Sequence, residues 1–176
     1  TSVSEMLDKG KISESPEAYY DSIADLYDAG KKKNLYYFRN LIKLYKSFIP
    51  AQSRILDIGC GTGDLTTRLD AREALGIDLS EGMIETARRK YSDNKTVRYE
   101  RVDIFDSQAP FTAEYIIMAD VLEHVVDVFA FMRQISSRTP KGTRVIISVI
   151  NPIWEPVLMV VEKLHLKIPE GPHERL

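Results

Sequence analysis

Three glycines and a series of aspartates stand where a parallel sheet would bring them together. Gly59, Gly61 and Gly63 directly follow the apolar run of residues 55–58 and precede a predicted short helix. Glycine has no Cβ and tolerates positive φ, so it lets a ligand approach the backbone. A buried strand, a turn of this kind and a helix form the usual entrance to a nucleotide site in an open α/β sheet.

An acidic residue ends each of three further predicted strands. Asp78 ends the strand at 74–78, Asp103 follows the strand at 97–102 and Asp120 follows the strand at 115–119. A lone aspartate in such a place is often only the N-cap of the next helix. Ligands bind outside the carboxyl ends of parallel strands, so three acids and the glycines at one edge favour a ligand site.

Each acidic residue has a chemical use at that edge. Asp78 follows Asp57 at about the 20-residue spacing expected of a carboxylate that accepts the ribose hydroxyls. Leu79 and Met83 are placed to enclose an adenine ring. The predicted partners of the rest of the ligand are Asp103 and the Ile104 N–H for the adenine edge, and Asp120 for a cationic ammonium group.

The residue after the glycines discriminates between nucleotides. In the dinucleotide fingerprint the sixth position is a third glycine, at a helix N-terminus that receives pyrophosphate. Here this position is Asp64, and a carboxylate would repel pyrophosphate. The sequence therefore favours a ligand without phosphate and with a positive charge, such as S-adenosylmethionine.

Five motifs resemble those of the class I S-adenosylmethionine-dependent methyltransferases, in the branch of the ubiquinone-type O-methyltransferases. The resemblance covers about residues 18–152, with a first motif, Ile-Leu-Asp-Ile-Gly-Cys-Gly-Thr-Gly, that is typical of the family. The five matching segments are residues 19–28, 55–63, 76–84, 119–125 and 139–152.

The resemblance implies roles for the matched positions. Gly59 and Gly61 would line the methionine part, and Tyr20 and Tyr27 on the first long helix would form a lid, although plain helix packing is the alternative for these tyrosines. Cys60 occupies a variable motif position and has no expected redox or nucleophilic role. The complete predicted cofactor site comprises Tyr20, Tyr27, Asp57, Gly59, Cys60, Gly61, Asp78, Leu79, Met83, Asp103, Ile104, Asp120 and Val121.

The implied activity is transfer of a methyl group to the oxygen or nitrogen of a small molecule by in-line displacement, with S-adenosylhomocysteine as product. His124, next to the fourth strand, is the candidate general base; the alternative is that it packs behind the cofactor. Tyr37, Phe38 and Trp154 favour a small or partly apolar acceptor. Two other functions remain open: a non-catalytic S-adenosylmethionine-binding module and an NAD(P)-dependent oxidoreductase.

The alternation of strands and helices predicts an α/β fold, a Rossmann-like open and mainly parallel sheet of about five strands with helices on both faces. Residues 1–50 are expected to form an N-terminal arm and cap helices, and residues 51–176 the cofactor-binding core. The first long helix is predicted to begin at Pro16, with Ser15 as N-cap, and to end at Gly30. A final helix is predicted from Asn151 onward.

The predicted fifth strand, residues 145–150, lacks an expected neighbour. Members of the resembled family continue into a helix and an antiparallel strand pair, for which too few residues remain after Ile150. An unpaired edge strand is an aggregation liability. We therefore expect a missing C-terminal segment, or a second copy of the chain in a homodimer, to cover this edge.

Composition narrows the classes of partner and compartment. The chain has 176 residues, 44% hydrophobic and 28% charged, with a net charge of −2, which gives no reason to expect nucleic acid as partner. No apolar run is long enough for a membrane span, and no signal peptide is recognisable. One cysteine permits no internal disulfide, so a cytoplasmic location is expected, and no residue cluster implies a metal.

Overall fold

A five-stranded parallel sheet forms the centre of the computed structural model, which describes residues 16–33, 35–106 and 111–149. Its strands are β1 (Arg54–Ile58), β2 (Glu73–Asp78), β3 (Val97–Arg101), β4 (Tyr115–Ala119) and β5 (Arg144–Ser148). They lie in the order β3-β2-β1-β4-β5, and every neighbouring pair is parallel. The predicted Rossmann-like α/β sheet is confirmed.

In the described residues, five α-helices and one short 3-10 helix connect or precede the strands. They are α1 (Pro16–Lys33), α2 (Leu35–Phe48), α3 (Asp64–Arg68), α4 (Glu81–Lys90), the 3-10 helix (Leu122–His124) and α5 (Val128–Arg138). Ser80 caps α4 as predicted, since its Oγ accepts a hydrogen bond from the Met83 N–H at 3.1 Å. Asp127 caps α5 by accepting from the Ala130 N–H at 2.8 Å.

The sheet is buried on both faces because alternate strand residues enter two separate cores. One core contains side chains from α2, α4 and the strands, among them Leu41, Tyr45, Ile84, Ile55 and Ile117. The other contains side chains from α5 and the opposite strand face, among them Phe131, Ile135, Leu56, Ile116 and Met118. The expected helices on both faces are therefore present, and the nearly continuous apolar composition of β1 and β4 follows from this double burial.

The boundaries of several elements differ from the sequence prediction, most of all those of α1 and β5. Helix α1 does not end at Gly30 but continues to Lys33, because an internal glycine costs a helix only about 1 kcal/mol relative to alanine. Strand β5 ends at Ser148, two residues short of the predicted end. The predicted Ser15 cap and the predicted helix from Asn151 lie outside the described residues. In the described part of the chain, no helix is long and apolar enough to cross a membrane.

Strand β5 lies at one edge of the sheet. Among the described strands it pairs only with β4, and its Val145 and Ile147 side chains remain 40% and 41% exposed. The expectation that a further segment or a second chain covers this edge stays a prediction.

Candidate functional site

A large cleft opens where the chain connections diverge from the middle of the sheet. The chain proceeds from β1 to β2 and β3 on one side, then returns to place β4 and β5 on the other. The carboxyl ends of β1 and β4 are therefore the topological switch point at which ligands of open α/β sheets bind. The cleft there has a volume of about 1350 Å³, and its lining includes all thirteen predicted cofactor residues and His124.

The glycine turn, residues 59–63, lies closely against its neighbours at the bottom of this cleft. The Gly59 and Cys60 N–H groups both donate to the Ile77 carbonyl oxygen, at 2.8 and 3.0 Å, which ties the turn to β2. Gly59 has φ of 73°, and a Cβ there would lie 2.5 Å from Val121 Cγ2. Both the backbone conformation and the space therefore require glycine at this position.

The Asp78 carboxylate lies at the carboxyl end of β2, facing the glycine turn. Its two oxygens accept hydrogen bonds from the Gly61 N–H at 2.8 Å and the Ser80 N–H at 3.0 Å. Burial raises the pKa of this carboxyl above its usual range, and the two N–H donors partly offset that rise. Since an ionised carboxylate offers about four acceptor positions, Asp78 can accept further hydrogen bonds from a diol.

Asp57 and Cys60 form the inner wall of the cleft. Asp57 is almost fully buried, and its carboxylate accepts a hydrogen bond from Thr66 Oγ1 at 2.5 Å, which joins β1 to α3. The Cys60 thiol is also buried and points towards Gly76, where an added Cβ would lie 2.9 Å from the sulfur. Both side chains therefore shape the wall through contacts within the protein.

The side chains expected to enclose adenine lie near the ends of β2 and β3. Met83 is 1% exposed and packs with Ile23 and Ala24 of α1, whereas Leu79 is 37% exposed. Asp103 accepts a hydrogen bond from the Phe105 N–H at 2.7 Å. Leu79, Met83 and Asp103 all belong to the lining of the cleft, and their contact with adenine stays a prediction.

Asp120 and His124 approach the cleft from the end of β4. Asp120 has φ of 55°, a left-handed conformation that is uncommon for a residue with a side chain. Its carboxylate accepts hydrogen bonds from the Tyr37 hydroxyl at 2.5 Å and from Ser148 Oγ at 3.3 Å. His124 Nε2 lies 3.0 Å from the Tyr20 hydroxyl. The Tyr37 and Tyr20 contacts join the segment that follows β4 to α2 and α1, and neither contact had a signal in the sequence.

Helix α1 contributes Tyr20 and Tyr27 to the lining of the cleft, and both tyrosines also pack against the apolar cluster around Met83. Their role as a lid over a cofactor stays a prediction. The Tyr27 ring lies over the glycine turn, with its Cε1 3.8 Å from a Cβ placed at Gly61. Near the start of α1, Glu17 forms an ion pair with Arg101 at 2.7 Å. At the start of α4, Asp21 accepts hydrogen bonds from the Ser80 hydroxyl and from the Gly82 N–H. Helix α1 is thus held on the sheet at several points along its length.

Asp64 occupies a different electrostatic setting from the one the sequence suggested. It lines the cleft, but Lys90 Nζ lies 3.2 Å from its carboxylate and the Tyr91 hydroxyl donates to it at 2.6 Å. Burial raises the pKa of the Tyr91 hydroxyl, and the neighbouring Asp64 carboxylate raises it further. Because Lys90 partly compensates the Asp64 charge, Asp64 would repel a pyrophosphate less than an unpaired carboxylate would.

Comparison with known families agrees with this geometry. Residues 31–174 match the family described as methyltransferase domain. The chain belongs to the methyltransferase-domain family. The resemblance drawn from the five sequence motifs is therefore confirmed.

Curated relatives of this methyltransferase domain include ubiquinone biosynthesis O-methyltransferases. That of Aeromonas salmonicida (strain A449) is 33% identical over 129 residues, which cover 69% of this chain and 54% of the relative. That of Methylococcus capsulatus is 32% identical over 133 residues, covering 70% and 56%. The chain spans about half the length of the curated relatives it matches.

Solved structures show the same fold. The complex of DhpI with S-adenosylhomocysteine has a TM-score of 0.65 and 25% identity, over 74% of this chain and 65% of that one. An S-adenosylmethionine-dependent methyltransferase from Mesorhizobium loti has a TM-score of 0.54 and 28% identity, over 62% and 52%.

Proposed function

We propose that this methyltransferase domain binds S-adenosylmethionine in the cleft and transfers its methyl group to an oxygen or nitrogen of a small-molecule acceptor. The observation that carries the proposal is the Asp78 carboxylate, fixed by the Gly61 and Ser80 N–H groups beside the glycine turn. This arrangement suits the two hydroxyls of a ribose. The likeness to the DhpI complex, which contains S-adenosylhomocysteine, supports the same choice of ligand.

The remaining lining residues fit the other parts of such a cofactor. We assign the adenine ring to the wall formed by Leu79 and Met83, with its edge at Asp103 and the Ile104 backbone. The methionine part would lie over Gly59 and Gly61, with Val121, Asp57 and Cys60 as walls and the Asp120 carboxylate near the ammonium group. Tyr20 and Tyr27 would cover it from α1.

The chain's own residues would act mainly by alignment. When bound, S-adenosylmethionine would supply a methyl group on a sulfonium, whose sulfur leaves as the neutral thioether of S-adenosylhomocysteine and needs no proton. Holding two reactants in attack geometry can contribute roughly 7–11 kcal/mol to lowering a barrier. A neutral nucleophile must also lose a proton, and His124, held at 3.0 Å by the Tyr20 hydroxyl, is the candidate base.

The acceptor would enter on the side of the cleft away from Asp78. That side is lined by apolar and aromatic residues of α2, β4 and the loop before α5, including Leu35, Tyr37, Phe38 and Val126. This lining suits a small or partly apolar acceptor.

Calorimetric titration with S-adenosylmethionine, S-adenosylhomocysteine and NADH tests the cofactor assignment. We expect both sulfur ligands to bind and NADH not to bind; binding of NADH alone would overturn the assignment in favour of an oxidoreductase. Methyl-labelled cofactor, incubated with a panel of small phenols, carboxylic acids and amines, then tests the activity. Label in a small-molecule product supports the transferase. Binding without label transfer to any acceptor, with the panel extended to crude small-molecule extracts, would support a binding module instead.

A further inference from the structure

We propose that Lys90 is a positioning residue that holds α1 closed over the cofactor site, acting as the shared counter-ion of two carboxylates from different elements. Asp28 belongs to α1, and Asp64 begins α3 directly after the glycine turn. Lys90 is the last residue of α4. The inference rests on the proposed cofactor site, since its consequence is measured as cofactor affinity.

The contacts of these three side chains form one network. Lys90 Nζ lies 2.5 Å from Asp28 Oδ2 and 3.2 Å from Asp64 Oδ2. Thr62 Oγ1 in the glycine turn lies 2.7 Å from Asp28 Oδ1 and 3.3 Å from Asp64 Oδ2. Two carboxylates therefore meet at a single hydroxyl, and the ammonium group of Lys90 lies 3.4 Å from that hydroxyl.

Partial burial makes this network stronger than a surface ion pair. The side chains of Lys90, Asp28 and Asp64 are 25%, 30% and 19% exposed, so solvent and salt screen them less than exposed charges. Arg68, the other cation near Asp64, is 3.8 Å away and 54% exposed. Removal of Lys90 would leave Asp28 and Asp64 as neighbouring like charges, and the repulsion would act between α1 and the glycine turn.

The position of Asp28 connects this network to the cofactor. Asp28 directly follows Tyr27, whose ring covers Gly61, and the same helix carries Tyr20 on His124. If α1 opens, the affinity for a ligand beneath it falls in proportion to the remaining closed fraction. Lys90 thus affects the ligand through α1, although the sequence alone indicates only a solvated charge at the end of α4.

The test is a set of S-adenosylhomocysteine titrations on the full chain. We expect Lys90→Met to weaken binding by roughly tenfold, between the small effect of breaking an exposed ion pair and the large effect of breaking a fully buried one. Lys90→Arg should bind within about threefold of wild type. The matched control is Lys46→Met. It removes an exposed ion pair away from the cleft, in which Lys46 Nζ lies 2.9 Å from Asp70 Oδ2, and it should leave the affinity unchanged. Equal affinity of the Lys90→Met variant and wild type would refute the inference.

A charge-compensating variant separates positioning from a general loss of structure. Asp28→Asn removes the repulsion, so the double variant D28N/K90M should bind as well as D28N alone and better than K90M. In native-state hydrogen exchange without ligand, K90M should speed exchange in α1 and leave β1 and β4 unchanged. Additive losses in the double variant, or faster exchange throughout the sheet, would contradict a positioning role. Absence of binding by wild type would instead refute the proposed cofactor.

Discussion

Asp78 is the residue whose role in the site follows most directly from the geometry. Its carboxylate already has two backbone donors, and we assign its remaining acceptor positions to the cofactor's ribose. We expect Asp78→Asn to weaken S-adenosylhomocysteine binding by about 1.5–3 kcal/mol, the usual value of hydrogen bonds to a charged group. Calorimetry measures this, and Asp70→Asn, at an exposed ion pair remote from the cleft, should have no effect.

The raised pKa of Asp78 gives this prediction a pH dependence. Protonation removes acceptor positions, so affinity should fall on acidification, beginning at a higher pH than an ordinary carboxyl would show, and D78N should lack this dependence. The stability of the unliganded protein has the opposite dependence on pH. The folded state binds the proton more tightly than the unfolded state, so this group's contribution to the free energy of unfolding decreases as pH rises through the window between the two pKa values. A pH-independent affinity in wild type would contradict the role of Asp78.

His124 tests whether the reaction uses a base from the chain. If His124 accepts the proton, His124→Ala should lower kcat by about 10²–10⁴-fold and leave the affinity for S-adenosylhomocysteine nearly unchanged. Steady-state rates with any acceptor found by the labelled-cofactor screen measure this. Tyr20→Phe, which keeps the ring and removes the hydroxyl at 3.0 Å, serves as control and should affect kcat less. Turnover within a few-fold of wild type in the alanine variant would exclude the base.

Residue types at strand ends were predictable, whereas pairing between remote side chains was not. Gly59, Gly61 and Asp78 follow apolar runs, so their place at one sheet edge followed from local pattern and parallel topology. The Tyr37–Asp120 and Asp28–Lys90 contacts depend on how helices pack on the sheet. A lysine at a helix end has the same local pattern whether it is solvated or paired, and only the tertiary structure distinguishes the two.

At the scale of elements, the glycine turn is shaped by a tyrosine from β3. The Tyr99 hydroxyl donates to the Gly63 carbonyl oxygen at 3.0 Å and lies 2.5 Å from Thr67 Oγ1. A Cβ on Gly63, where φ is 79°, would lie 2.5 Å from that hydroxyl oxygen. Position 63 therefore cannot accept a side chain unless Tyr99 moves.

The variant Gly63→Ala should destabilise the protein by more than the roughly 1–2 kcal/mol that positive φ costs an L-residue. Gly142→Ala isolates that backbone cost, since Gly142 has φ of 92° and no neighbour within 4 Å of an added Cβ. Denaturant unfolding measures both. Equal losses in the two variants would show that Tyr99 does not restrict the turn.

Helix α2 is fixed to the sheet by a buried tyrosine. The Tyr45 hydroxyl lies 3.2 Å from the Met118 carbonyl oxygen and 3.1 Å from Ser148 Oγ, and its single proton is donated within this pair of acceptors, which joins α2 to β4 and β5. Tyr45→Phe should cost about 1 kcal/mol in the free energy of unfolding, the net value of one buried hydrogen bond.

Burial raises the pKa of Tyr45 to about 12. The unfolded chain ionises first, so wild type should lose stability between pH about 10 and about 12, relative to Y45F. Urea unfolding at several alkaline pH values tests this, and parallel curves for the two proteins would contradict it.

The element boundaries show where sequence pattern is sufficient. All five strands were predicted: β1, β2, β4 and β5 because apolar runs bounded by turns and acids are distinctive in a buried parallel sheet, and β3 because its apolar residues alternate with polar ones. The end of α1 was wrong because Gly30 was taken as a stop, although a glycine ends a helix only if no other contact holds the next turn. The 3-10 helix carrying His124 has three residues, too few for any periodic signal.

At the scale of the whole molecule, the cofactor site joins the sheet to α1, so ligand binding should stabilise both together. At a free S-adenosylhomocysteine concentration of 100 times Kd, we expect the free energy of unfolding to rise by about 2.7 kcal/mol. Thermal unfolding with and without the ligand measures this, with NADH as control. A ligand that binds in calorimetry but leaves thermal unfolding unchanged would place its site outside the cooperative core.

The contacts of α1 also have a consequence for the order in which the protein is made. Glu17 bonds to Arg101 and Tyr20 to His124, partners 84 and 104 residues later in the chain. At about 5–20 residues per second, the ribosome adds the second partner roughly 5 to 20 s after the tyrosine. Helix α1 leaves the ribosome before its binding surface has been translated, so the first described helix to be synthesised completes the site only after β4 has emerged.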